Sequence, residues 1–171
     1  MKPVYLLTGR PGSGKTSLVK QVVARMPGQA GGFYTEEIRT GGVREGFRLV
    51  TLDGETAILA HIKIHSPHRV GKYGVDVEAL DRVGVPALER AAQHGDLVVI
   101  DEIGRMELFS PRFREVVSQV VTSGKKVLST IMLNPNPFAD AIKRQSNVNL
   151  LTVTRENYEK VLAQLLRWVE L

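Results

Sequence analysis

The chain has 171 residues, with 23 Lys and Arg against 18 Asp and Glu, 4 His and no Cys, so its formal net charge is +5. Hydrophobic residues at 43% and charged residues at 24% exclude a disordered, collagen-like or coiled-coil chain. The lack of Cys excludes a disulfide scaffold and a thiolate nucleophile, and no apolar run reaches the roughly 20 residues of a membrane helix. We therefore expect one cytoplasmic domain over residues 1–171, monomeric and without a membrane partner, whose positive charge favours an anionic ligand.

Apolar strands and amphipathic helices alternate along most of the chain. Short β-prone runs predict buried strands at 4–7, 97–100, 127–133 and 149–154. Apolar residues at helical spacing predict helices at 15–26, 86–94, 138–144 and 158–169, and another that starts at Ser110-Pro111 and stops at Gly124. This alternation predicts an α/β fold of three αβα layers around a mainly parallel central sheet.

Residues 31–52 have a different texture, with two β-prone stretches on either side of Thr40-Gly41-Gly42. This pattern predicts an antiparallel hairpin added to the parallel sheet. Residues 56–64 are predicted to add a short strand, and the polar residues 65–74 to form a surface loop.

A phosphate-binding motif, G-x-x-x-x-G-K-[ST], follows the first predicted strand and opens the first predicted helix. It consists of Gly9, Arg10, Pro11, Gly12, Ser13, Gly14, Lys15 and Thr16. Its glycines allow the backbone N–H groups to point at one anion, which the helix N-terminus also attracts. Lys15 is placed to reach the β- and γ-phosphates, and the Thr16 hydroxyl to ligate Mg²⁺.

An acidic pair, Asp101-Glu102, follows the apolar run at 97–100. Ligands of open α/β sheets bind at the carboxyl ends of the strands, so this pair is expected beside the phosphate motif. Asp101 is a candidate metal ligand together with Thr16. Glu102 is the candidate base that orients and deprotonates a water attacking the γ-phosphate, which favours hydrolysis over transfer.

Several weaker candidates have competing interpretations. Arg105 either neutralises transition-state charge or forms a surface salt bridge with Glu107. Ser129 or Thr130 either senses the γ-phosphate or, as we prefer, bonds to the backbone. His61, His65 and His68 form either a metal site or, as we prefer, polar surface positions. Arg69 and Lys72 either contact the nucleotide or belong to a solvated loop, and Phe33 and Tyr34 either stack on a base or lie in the core.

Beyond the phosphate motif, four stretches resemble the THEP-type nucleoside-triphosphatases, a family that includes the cancer-related NTPases. They are GFYTEEIR at 32–39 (with GF at Gly46-Phe47), VGKYGVDVE at 70–78, DEIGRMELFS at 101–110 and LLTVTRENY at 150–158. Together they span nearly the whole chain, and the third is much more specific than the phosphate motif.

This resemblance implies a P-loop NTPase fold with an added strand between the two motifs, and Mg²⁺-dependent NTP hydrolysis with broad base tolerance. The family's second nucleotide-contacting segment maps onto Asp101, Glu102, Ile103, Gly104, Arg105, Met106, Glu107 and Leu108. The family often has a basic residue after the position of Asn157, whereas this chain has Tyr158, so any role of that charge is open.

The sequence therefore predicts hydrolysis of NTPs such as ATP and GTP, with Lys15, Glu102 and Arg105 as catalytic candidates and Thr16 and Asp101 as Mg²⁺ ligands. One alternative is a nucleotide or small-metabolite kinase, whose acceptor would bind between the hairpin and the Lys72 loop. Another is an NTP-switched module that binds RNA or protein, although no aromatic-rich RNA-binding signature supports a nucleic-acid partner.

Overall fold

The structure, a computed structural model, describes residues 2–171, and a nine-stranded mixed sheet organises it. The strands are β1 (Val4–Thr8), β2 (Ala30–Thr40), β3 (Val43–Thr51), β4 (Thr56–His61), β5 (Arg69–Val70), β6 (Tyr73–Val75), β7 (Leu97–Ile103), β8 (Lys126–Ile131) and β9 (Val148–Thr152). The helices are α1 (Lys15–Arg25), α2 (Val77–Ala79), α3 (Val85–His94), α4 (Pro111–Val121), α5 (Pro137–Lys143) and α6 (Tyr158–Val169). A π-helical turn at Leu80–Gly84 joins α2 to α3, and a 3-10 turn lies at Glu107–Phe109.

The strand order is β5-β6-β4-β3-β2-β7-β8-β1-β9. Strands β2, β7, β8, β1 and β9 are parallel, as the alternation of strands and helices predicts. Strand β8 lies between β1 and β7, which confirms the expected added strand between the two motifs. The phosphate motif and the acidic pair therefore face each other across one strand.

Strands β3 to β6 form an antiparallel extension, here called the wing, beside β2. The predicted hairpin of β2 and β3 is confirmed, and its turn lies at Gly41-Gly42. The prediction of a plain surface loop at 65–74 is wrong in part, because β5 and β6 pair around Gly71. Tyr73 and Val75 are buried, and this burial stabilises the short hairpin. Strands of two or three residues are too short to show a hydrophobic periodicity, so the sequence does not predict them.

The helical run before β7 starts earlier than the predicted 86–94. The Asp76 side chain accepts a hydrogen bond from the Ala79 N–H at 3.0 Å and caps α2. The chain then continues through the π-helical turn into α3, which carries Pro86 in its first turn. Because Pro is typical of the first turn of a helix, the sequence predicts that the helical run begins at Pro86, which is too late.

Apolar residues cover both faces of the sheet, and alternate strand residues point to opposite faces. Helices α1 and α6 pack on one face, where Tyr5 stacks edge-on against Trp168 at 4.8 Å between ring centroids. Helices α3, α4 and α5 pack on the other, where Phe33 contacts Phe113. This is the predicted three-layer arrangement. No helix within residues 2–171 is long and apolar enough to cross a membrane.

Helix α4 begins at the predicted Ser110-Pro111 cap, directly after the acidic segment. The buried Ser110 Oγ accepts a hydrogen bond from the Phe113 N–H at 3.0 Å and donates one to the Asp81 carboxylate. The cap thus satisfies an otherwise unpaired helix N–H and ties α4 to the π-helical turn.

Ser110→Ala should lower the free energy of unfolding by about 1–2 kcal/mol, because it removes the cap and leaves the Asp81 carboxylate without this donor. Urea denaturation followed by circular dichroism measures the change. Ser118→Ala makes the same chemical change inside α4 and should alter stability by less than about 0.5 kcal/mol. Equal losses in the free energy of unfolding from the two substitutions would show that the cap does not stabilise the protein.

Candidate functional site

The phosphate motif forms the loop between β1 and α1. Gly14 is the N-cap residue of α1 and has a φ of 94°, a left-handed conformation that favours glycine. A Cβ atom at Gly14 would also lie 2.8 Å from the Tyr158 ring, so the position has no room for a side chain. Lys15 Nζ donates a hydrogen bond to the Gly9 carbonyl at 2.6 Å, which folds its ammonium over the loop.

Two hydroxyls at this loop have no protein partner. Within residues 2–171, the buried side-chain oxygens without a hydrogen bond are Thr8 Oγ1, at the end of β1, and Ser13 Oγ, inside the motif. Buried hydroxyls are usually paired, and an unpaired one costs about 1–3 kcal/mol. Their position at the phosphate loop fits a ligand that brings many acceptor oxygens.

Asp101 is the centre of the second half of the site. Its Oδ2 accepts a hydrogen bond from Thr16 Oγ1 at 2.9 Å, and its Oδ1 accepts one from Thr130 Oγ1 at 2.6 Å. Its backbone carbonyl accepts a third from Thr35 Oγ1 at 2.6 Å. The structure thus brings the two predicted metal ligands, Thr16 and Asp101, into direct contact.

Burial raises the pKa of Asp101, whose residue is only 4% exposed. The hydrogen bonds from Thr130 and Thr16 oppose this rise, as do the charges of Lys20 and Lys15. A divalent cation beside the carboxylate would favour the charged form further. The set of hydroxyl and carboxylate oxygens is one that Mg²⁺ accepts when phosphate oxygens and water complete its shell.

Glu102 and Glu107 add two further carboxyls. Burial raises the pKa of Glu102, the neighbouring Asp101 raises it further, and Lys15 opposes the rise. Glu107 lies at 3% exposure, and burial raises its pKa well above the usual range. The charge of Glu102 adds to that rise, whereas the backbone N–H groups of Glu107 and Gly104 oppose it. A proton on one of these crowded carboxyls is therefore held more tightly than in water.

Among the remaining residues of the acidic segment, some side chains line the cavity and others lie in the core. Arg105 is exposed and lines the same cavity as Lys15 and Glu102, and residues 2–171 contain no ion pair between Arg105 and Glu107. The alternative of an Arg105–Glu107 surface salt bridge is therefore wrong, because the glutamate is buried. The Ile103 and Leu108 side chains lie in the core, so a ligand would meet their backbone only.

Hydrogen bonds and burial distinguish the weaker candidates from one another. Ser129 donates to the backbone oxygens of Ile100 and Thr130, as preferred from sequence, whereas Thr130 reaches the Asp101 carboxylate. Phe33 is fully buried in the core. Burial and then the charge of Asp101 raise the pKa of Tyr34 to about 12.

The three histidines do not converge on a metal. His61 lies 3.7 Å from the Glu45 carboxylate, and the His68 ring packs on Phe109 at 4.8 Å between centroids. Across residues 2–171, no group of three or more His, Asp or Glu side chains has the arrangement of a metal site.

Tyr158 is a contact of the phosphate loop that the sequence gives no reason to expect. Its hydroxyl lies 2.8 Å from Ser17 Oγ and accepts a hydrogen bond from Gln21 Nε2 at 2.7 Å, while its ring packs on Gly14. The first residue of α6 therefore holds the first two turns of α1 by packing and hydrogen bonds. Thr35 is a second missed residue, since a lone threonine in a strand carries no signal.

The phosphate loop after β1, the acidic pair on β7 and the intervening β8 define the class of protein: a P-loop NTPase with a three-layer αβα fold. The comparisons with known proteins identify the family. A family model described as NTPase matches residues 4–166, so the chain belongs to this NTPase family.

Sequence similarity to two nucleoside-triphosphatases supports this assignment. The chain is 48% identical to the nucleoside-triphosphatase THEP1 of Thermotoga sp. (strain RQ2) over 161 residues, covering 94% of this chain and 92% of the relative. It is 42% identical to the nucleoside-triphosphatase THEP1 of Methanocaldococcus jannaschii over 165 residues, covering 94% and 93%.

Two solved structures have the same fold. The crystal structure of THEP1 from the hyperthermophile Aquifex aeolicus matches with a TM-score of 0.91 at 37% identity, covering 98% of this chain and 99% of that one. The solution structure of a human cancer-related nucleoside triphosphatase matches with a TM-score of 0.80 at 36% identity, covering 99% and 97%.

The buried Glu107 should make stability depend on pH. Because its pKa in the folded state is raised, the stability it contributes is complete below its unfolded pKa and is lost as pH rises toward the folded value. Glu107→Gln should therefore gain stability relative to the wild type between pH 5 and pH 8, by up to about 1.4 kcal/mol per pH unit. Urea denaturation at both pH values measures this gain.

The matched control is Glu115→Gln on the exposed face of α4. It replaces a solvated carboxylate instead of a buried one. A pH-independent difference between Glu107→Gln and the wild type would contradict the raised pKa.

Proposed function

We propose that this nucleoside-triphosphatase hydrolyses ATP, GTP and other NTPs to NDP and phosphate, with Mg²⁺ and broad base tolerance. The observation that carries the proposal is the 2.9 Å hydrogen bond between Thr16 Oγ1 and Asp101 Oδ2, beside Glu102. It joins the phosphate motif to the acidic pair, so a metal-bound triphosphate and an acidic base would share one site.

Binding of the triphosphate is assigned to the loop and its lysine. The N–H groups of Gly9–Thr16 and the positive end of α1 would surround the β-phosphate, and Lys15 would turn from the Gly9 carbonyl to the phosphate oxygens. The unpaired hydroxyls of Thr8 and Ser13 support an oxygen-rich ligand here. Thr16 and Asp101 would hold Mg²⁺, which neutralises phosphate charge when bound.

Glu102 is assigned the role of general base. Its carboxylate lines the cavity next to Lys15 and Asp101, and its raised pKa makes it a better proton acceptor than a solvated glutamate. It would orient the attacking water and take its proton as the oxygen approaches the γ-phosphorus. The exposed Arg105 is assigned to neutralise the charge that develops on the γ-phosphoryl group.

A panel of NTPs with Mg²⁺ and no acceptor tests this proposal, scored for free phosphate. We expect release from ATP and GTP at similar rates. Glu102→Gln should lower turnover by about 100-fold or more, because no base remains, and should keep NTP affinity within about threefold. Lys15→Ala should lose both turnover and affinity. Phosphate transfer that requires an added acceptor would contradict hydrolysis and favour the kinase alternative.

Thr130 should act on Mg²⁺ through Asp101. Thr130→Val keeps the side-chain shape but removes the 2.6 Å donor to Asp101 Oδ1. The Mg²⁺ concentration for half-maximal turnover should rise about tenfold, a typical cost of losing a partner behind a metal ligand. Titration of phosphate release with Mg²⁺ measures it.

Ser129→Ala is the matched control, since its hydroxyl bonds backbone oxygens only, and it should keep the wild-type Mg²⁺ requirement. An unchanged requirement in Thr130→Val would remove Thr130 from the positioning of Asp101.

A further inference from the structure

The cavity of about 550 Å³ at the site continues beyond the catalytic groups onto the wing. Its inner part is lined by the phosphate motif and by Asp101, Glu102, Arg105 and Glu107. Its outer part, here called the outer cavity, is lined by Thr35, Glu37, Arg44, Phe47, Val70 and Met106. The inner and outer parts form one continuous space, and its size is within the range of small-molecule sites.

A nucleoside bound at the phosphate loop would not occupy the outer cavity. The β-phosphate belongs at the N-terminus of α1, and the γ-phosphate then points toward Asp101 and Glu102. Because the α- and γ-phosphates lie on opposite sides of the β-phosphate, the nucleoside leaves in the other direction. The outer cavity therefore lies beyond the γ-phosphate, a conclusion that rests on the proposed function only for the position of the triphosphate.

Arg44 lines the outer cavity, and two further cations, Arg39 and Lys72, lie beside it. Arg44 and Lys72 both approach the Tyr73 ring, with Arg44 Cζ at 5.6 Å and Lys72 Nζ at 5.5 Å from its centroid. The Glu37 carboxylate pairs with Arg39 at 2.6 Å and with Arg44 at 3.5 Å. The Glu37 carboxylate thus pairs with two cations, and Lys72 beside Tyr73 adds a third nearby positive charge, which together favour an anion.

Arg44 keeps donors for such an anion. Its Nε donates to the Tyr73 hydroxyl at 2.9 Å, which orients the guanidinium, and within residues 2–171 only one further hydrogen bond, to Glu37, uses its other nitrogens. A guanidinium has five N–H groups, so a fixed fork of donors is left for a phosphate or carboxylate.

An apolar surface lies next to these cations. The Phe47 ring meets Tyr73 edge-on at 5.3 Å between centroids, and Arg44 Cζ lies 5.2 Å from the Phe47 centroid. Val70 and Met106 complete the apolar lining. Aromatic and thioether side chains in this arrangement favour a planar ring.

We propose that the outer cavity binds a second ligand beside the γ-phosphate, a small molecule with a planar ring and an anionic group. The ring lies against Phe47 and Met106, and the phosphate or carboxylate pairs with Arg44. Hydrolysis of an NTP by one bound water requires none of these contacts, so the second ligand is not part of the proposed hydrolysis.

Calorimetry with the protein loaded with Mg²⁺ and a non-hydrolysable ATP analogue tests the proposal, because the analogue blocks the phosphate loop. The probes are phenyl phosphate and the four nucleoside 5′-monophosphates. We expect at least one probe to bind with a Kd of about 1 mM or tighter. The corresponding phenol or nucleoside, which lacks the anionic group, should bind at least about tenfold more weakly.

Two substitutions locate the binding. Arg44→Gln should weaken the probe about tenfold by removing the cation, and Phe47→Leu should weaken it severalfold by removing the ring. Arg90→Gln, which removes a partly exposed arginine that pairs with Asp53 and does not line the cavity, is the matched control and should keep probe affinity. Affinity for the ATP analogue, measured in every variant, reports folding and the triphosphate site separately.

Absence of binding by every probe, or binding that neither Arg44→Gln nor Phe47→Leu weakens, would overturn the second site. Either result leaves NTP hydrolysis intact, whereas failure of hydrolysis with normal probe binding would count against the proposed function alone.

Discussion

The burial of Asp101 at the carboxyl edge of the sheet is the constraint on which the site depends. A carboxylate at 4% exposure is stable only when its oxygens are hydrogen-bonded. Threonines from α1 and β8 bond its two carboxylate oxygens, and Thr35 on β2 bonds its carbonyl. The same contacts that satisfy the buried residue therefore fix the phosphate loop, the acidic strand and the start of the wing relative to one another.

Charge at the site is unbalanced within the protein itself. Asp101, Glu102 and Glu107 share one buried region, and burial raises the pKa of each. Lys15 opposes the rise at the first two, and Lys20 at Asp101 only. Such crowding costs stability, and a divalent cation would relieve it directly. The unpaired hydroxyls at the loop likewise fit a ligand that brings acceptors. Stability and ligand binding are thus coupled through the same few groups.

Sequence reasoning succeeds where one local pattern decides the structure. The apolar stripe of α6, the Ser110-Pro111 start of α4 and the two-glycine turn of the hairpin are each local, and each is found as predicted. It fails where distant contacts decide. The β5–β6 hairpin depends on burial of Tyr73. The helical run before β7 begins at Val77, although Pro86 suggests a later start. Thr35, Thr130 and Tyr158 act through partners 66, 29 and 141 residues away.

The sequence by itself determined the phosphate loop, the acidic pair, the alternating fold and the family resemblance, because motif spacing and periodicity encode local conformation and chemistry. Only the tertiary structure decided which hydroxyls hold Asp101, that Glu107 is buried while Arg105 faces the cavity, and that Arg44 and Phe47 extend that cavity beyond the catalytic groups. These features depend on which strands become neighbours and on which side chains lose water, and neither is a property of a short segment of chain.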